Sequence, residues 1–142
     1  HGILTTLKTL LEADASLSGV PVFVEEDPQF DLSGAGRALV LTLGSRREAP
    51  GQPLAAGKRT RWHVRLSVWA VGFANTFEQA AKERDDLVGS LELVLMNNRT
   101  VGGKVAAGWL EGGEFISVRD QSLGNYALAE TVFVGEAQAI AT

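Results

Sequence analysis

From Arg61 to Val71 the residues Trp62, Val64, Leu66, Val68 and Ala70 occupy alternate positions, with Arg61, His63, Arg65 and Ser67 between them. Side chains of a strand alternate between its two faces, so this run is a strand with one apolar face. A few residues later the period changes. Asn75 or Thr76 can cap a helix, and Thr76 with Gln79 has the form of a capping box. Phe77, Ala80, Ala81, Arg84, Leu87, Val88, Leu91 and Leu95 then share one helical face, with only Arg84 out of character, over about five turns. A one-faced strand leading directly into a one-faced helix must bury sheet against helix, which is the strongest constraint on this chain's fold.

The flanking segments extend that layering. Ile3, Leu4, Leu7, Leu10 and Leu11 recur at helical spacing and predict a short opening helix, broken by Asp14, Ser16, Ser18 and Gly19. Val20 to Val24 reads as an edge strand entered through Pro21, and Leu39 to Leu43 as a second strand after an acidic, Gly-rich loop from Glu25 to Gly36. Pro50, Gly51, Pro53 and Gly57 predict a long connecting loop at about 45–60. After Asn97, Asn98, Gly102 and Gly103, three short strands are expected around Val105 to Leu110, Phe115 to Arg119 and Tyr126 to Val134, with Gly112 and Gly113 turning a tight hairpin. The expected fold is α+β: a mostly antiparallel sheet packed by two helices as a two-layer sandwich, with one crossover permitted through the long helix. The length of 142 residues suits one domain spanning 1–142 and is too short for a two-domain cofactor enzyme.

Catalytic and metal chemistry finds little footing. The chain has no cysteine, which excludes disulfides, thiolate metal sites and a cysteine nucleophile, and its imidazoles are His1 and His63. Gly34-Ala35-Gly36 precedes a strand, where a dinucleotide fingerprint opens a helix, and Gly102-Gly103-Lys104-Val105 lacks the Ser or Thr that a phosphate loop places after its lysine. Asp85 and Asp86 point about 100° apart on a helix, and Glu25, Glu26 and Asp27 lack the alternating spacing of a calcium loop. No cofactor and no metal is expected. No apolar stretch approaches the roughly 18 to 20 residues of a membrane helix. Lys8, Glu12 and Asp14 stand where a signal peptide would be apolar, so a soluble, unexported protein is expected, its start trimmed to His1.

Charge is more informative. Arg37, Arg46, Arg47, Lys58, Arg59, Arg61 and Arg65 are seven of the thirteen basic residues, and Glu48 is the one acid among them. Seven positive against one negative leaves +6 on this stretch, so the total of −4 puts −10 on the rest. Such polarity suits docking between copies or onto acidic partners, against the plainer reading of a solvated basic hairpin. Trp69 and Val71 lie on the strand face opposite Trp62, Val64, Leu66 and Val68. They belong either to an interface, where Trp and Arg dominate binding, or to a second small core layer under the long loop.

The order and texture of these segments resemble a phage tail terminator. The resemblance is carried by the helix Ile3-Leu4-Thr5-Thr6-Leu7-Lys8-Thr9-Leu10-Leu11, the strand Trp62-His63-Val64-Arg65-Leu66-Ser67-Val68-Trp69 running into the Phe77 to Leu95 helix, and the closing strand Tyr126-Ala127-Leu128-Ala129-Glu130-Thr131-Val132-Phe133-Val134. It covers nearly the whole chain and brings no catalytic residue with it. It implies a structural virion protein of the tail neck, assembled in the host cytoplasm. Its hexameric ring would cap the tail tube protein, stop tube polymerisation with the tape measure protein, and meet the head–tail connector or stopper. DNA would pass through the lumen without sequence-specific binding, and no membrane is involved. A ring needs unlike patches that meet between neighbours. On this reading Arg46, Arg47, Lys58, Arg59, Arg61, Arg65 and Trp69 form the subunit or tube interface.

Two alternatives stand beside it. A head-completion, neck or minor tail protein would share the same order of elements. An enzyme or small-ligand module on the same frame would use His63, Arg65 and Asp120 as its polar cluster.

Overall fold

The computed structural model describes residues 2–24, 36–48, 59–103, 105, 107–120 and 124–140. Leu4, Leu7 and Leu11 recur along one side of α1 (Gly2–Ala13) and are buried, while Thr5, Thr9 and Glu12 are exposed. Asp14 ends this helix, and its carboxylate accepts a 2.9 Å hydrogen bond from the backbone N–H of Ser16, capping a 3₁₀ turn over Ala15–Leu17. The Ser16 hydroxyl and then its N–H hold the Asp14 carboxyl below its ordinary value.

Six strands follow: β1 (Val22–Val24), β2 (Arg37–Glu48), β3 (Arg59–Ala74), β4 (Ala107–Glu111), β5 (Phe115–Asp120) and β6 (Gly124–Ile140), with α2 (Phe77–Asn97) between β3 and β4. They form one sheet in the order β1-β2-β3-β6-β4, with β5 also on β6. Only β1 and β2 pair in parallel, so the fold is α+β with a mostly antiparallel sheet, as the sequence indicates. β3 and β4 run the same way with β6 between them, which makes α2 the crossover. Both helices cover one face: Leu7, Leu11, Leu87 and Leu91 pack in one core with Leu39, Leu41, Leu66, Val68 and Phe133.

α2 begins where its cap requires. The Thr76 hydroxyl accepts from the Gln79 N–H at 3.2 Å, whereas the Gln79 amide turns forward to donate to Glu83, so only half of the capping box is made. The first turns of α2 lie almost on the backbone of β3. A Cβ on Gly72 would stand 2.1 Å from the Ala80 carbonyl oxygen, so that position tolerates no side chain. Arg84, the misfit of the apolar face, lies 4.8 Å from the centre of the Phe115 ring and also pairs with Asp85.

Gly112 and Gly113 do not turn a hairpin. β4 and β5 both pair antiparallel with β6 on the same edge and follow one another along it. Glu111 faces Val132 and Phe115 faces Ala129, so three residues oppose two, which is a β-bulge. The Glu130 N–H donates to the Glu114 carbonyl at 2.8 Å across it. A Cβ on Gly113 would lie 2.0 Å from the Glu130 carbonyl oxygen, which accounts for glycine there. The bulge reverses the alternation: Leu110 and Phe115 both face the helices, although one is even and the other odd. The hairpin instead joins β5 to β6, with Asp120 opposite Gly124.

The second departure concerns the loop expected at 45–60. Ser45 to Glu48 continue β2 and Arg59 already belongs to β3, because nothing between Ser45 and Arg47 forbids pairing. The proline and glycine breakers all lie in 49–58, outside the described residues, as does the acidic stretch 25–35 apart from Gly36.

Candidate assembly surfaces

The sheet face away from the helices is where the sequence-level candidates gather. Along β3 it carries His63, Arg65, Ser67, Trp69 and Val71; β6 contributes Leu128, Glu130, Val132, Val134 and Glu136, and β4 contributes Trp109 and Glu111. None of the described helices packs on it. Trp69 sits half-buried between Val40 and Glu130 in the ladder, while Val71 is only 2% exposed.

A row of ion pairs and hydrogen bonds crosses this face. Arg65 on β3 reaches over β6 to grip Glu111 on β4 through both guanidinium nitrogens, one of them at 3.2 Å. The Arg65 hydrogen bond pulls the Glu111 carboxyl below its ordinary value, and Glu111 in turn raises Arg65 further. Next along β3, the Ser67 hydroxyl donates to Glu130 at 2.7 Å, and on the other side His63 Nε2 stands 4.0 Å from Glu136. The His63 ring meets Trp109 edge-on, 5.3 Å between centres. The charge of Arg65 is therefore already matched within the chain.

The other basic candidates converge by backbone position. Arg46 and Arg47 lie opposite Val64 and His63, and Arg59 and Arg61 opposite Ile140 and Gln138. Three strand ends, Ser45–Glu48, Arg59–His63 and Glu136–Ile140, thus run together past the core residue Val64 and carry four arginines to one end of the sheet. Lys58 lies outside the described residues. The polar cluster of the enzyme alternative is not assembled. His63 pairs with Glu136 and Asp120 with Gly124, twelve positions apart along β6, roughly 40 Å at about 3.3 Å per residue.

Sequence reasoning did not single out Glu111, Glu130 or Trp109. Each meets its β3 partner through strand pairings that no local pattern encodes. Two shallow cavities flank Leu110 between α2 and the β4–β5 edge: one of about 280 Å³ with Leu95, Met96 and Arg99, another of about 190 Å³ with Val88, Glu92 and Phe115. Among the described residues no group of three His, Cys, Asp or Glu is placed to hold a metal. No described helix is long and apolar enough to cross a membrane.

No known family model matches the chain, and no curated protein matches it in sequence. Among solved structures the chain is similar to one in the virion of a native gene transfer agent (GTA) particle. The two share 16% identity and a TM-score of 0.50, over 96% of this chain and 94% of the other. The likeness extends over nearly the full length of both chains and shows a shared fold.

Proposed function

We propose that this chain is a structural subunit of a phage-like particle, and within it the terminator that closes the tail tube. The observation that carries the reading is the full-length fold likeness to a chain of a gene transfer agent virion, which agrees with the tail-terminator pattern of the sequence. Strand register brings Arg46, Arg47, Arg59 and Arg61 to one end of the sheet by backbone position, while the chain as a whole is acidic. Unlike patches on one subunit suit head-to-tail contacts that close a ring, six-membered on this reading. Arg65 borders that end and is held by Glu111, whereas Trp69 lies six positions beyond His63 along β3, about 20 Å away at about 3.3 Å per residue. One ring face would meet the tube protein and tape measure protein, the other the head–tail connector, and DNA would pass between.

The test is electron microscopy of the protein mixed with purified tail tubes. Rings at one tube end support the reading. Rings bound to the portal side of empty heads, with bare tube ends, would assign a head-completion role instead.

A further inference from the structure

The sheet has two edges without a strand partner among the described residues. β1 covers β2 only from Leu39 to Leu41, which leaves Thr42 to Glu48 open on that side. At the opposite edge, β4 and β5 pair inward with β6 and with no strand beyond. We infer that the open edge of β2 in one copy pairs antiparallel with the β4–β5 edge of the next copy, so that the sheet continues from subunit to subunit. This rests on the ring proposed above and assigns its contact.

Three observations support it. Direction comes first: β2, β3, β6 and β4 alternate in sense, so repeating the sheet sideways sets β2 antiparallel to the neighbouring β4–β5 without inverting the subunit. Charge is complementary, since the β2 edge brings Arg46 and Arg47 against Glu48, whereas the stretch from Ala107 to Phe115 carries Glu114 and no basic residue, Glu111 being held by Arg65. Each edge also leaves an apolar side chain in water on the helix-bearing face, Leu43 at 44% and Phe115 at 64% exposure, and a continued sheet would set both on the same side.

Because the two edges differ, the contact is heterologous, and that property is directly measurable. The protein lacks cysteine, so single thiols report cleanly. Leu43→Cys, Leu110→Cys and Phe115→Cys are prepared separately, then mixed in pairs and treated with oxidant or a short bis-maleimide. Native mass spectrometry of the same samples reports ring formation. The expected result is covalent dimer in at least one of the Leu43→Cys mixtures, with Leu110→Cys or Phe115→Cys, at ten-fold or more above any single variant alone. Covalent dimer from Leu43→Cys alone would mean like edges meet and would overturn the inference. So would intact rings with no cross-link in either mixture, which leaves the ring reading standing. Single chains in the mass spectrum, for the variants and the unmodified protein alike, would overturn the ring reading and this contact with it.

Discussion

Arg65 and Glu111, 46 residues apart in sequence, are joined by a two-pronged ion pair that spans the intervening strand β6. It ties the two sides of the longest strand together at the level where the arginine-bearing end begins.

The Glu111 carboxyl is held below its ordinary value of 4.5, so its pairing stabilises the fold above that pH. The contribution fades as pH falls from 4.5 through the lowered value, because the unfolded chain takes up the proton first. Glu111→Gln is expected to lower the denaturant midpoint slightly at pH 7, and the gap should close at pH 2 to 3. Urea titrations at both pH values check this; an equal gap at both would show that the charge is not what matters.

Two glycines should respond in opposite ways to the same change. Gly72→Ala drives a methyl into the Ala80 carbonyl and the Arg84 backbone nitrogen, and should cost about 2–3 kcal/mol. Gly89→Ala, on the exposed side of α2 with nothing within 4 Å, should stabilise by about 0.5–1 kcal/mol. Thermal unfolding of both variants beside the unmodified protein decides the matter.

The cap of α2 gives a third expectation. Thr76→Ala leaves the Gln79 N–H without its acceptor and should cost about 1 kcal/mol, measured by denaturant unfolding. Gln79→Ala should cost less, since its side chain does not return to Thr76.

The elements with a repeating pattern were legible in the sequence, and those defined by a partner were not. Val64, Leu66, Val68 and Ala70 announce β3 by alternation, and Leu4, Leu7 and Leu11 announce α1 by helical spacing, because burial on one face leaves a period in the chain. Gly112 and Gly113 carry turn chemistry that suits a hairpin and a bulge equally well; only the register of β6 decides between them. Arg84 breaks the apolar pattern of the helix because it lies over Phe115, which that bulge sets on the helix-bearing face. The same limit applies to the surface: the arginines were visible as a cluster in sequence, but the Glu111 that occupies Arg65 lies on a strand that nothing local connects to it.

On the proposed reading, this chain works by fitting against copies of itself through the strand ends that carry its arginines. Native mass spectrometry of the unmodified protein beside a variant with Arg46, Arg47, Lys58 and Arg59 reversed to Glu tests it most directly. A closed ring is expected for the first and single folded chains for the second. The same ring mass for both, or single chains for the unmodified protein at every concentration, would contradict it.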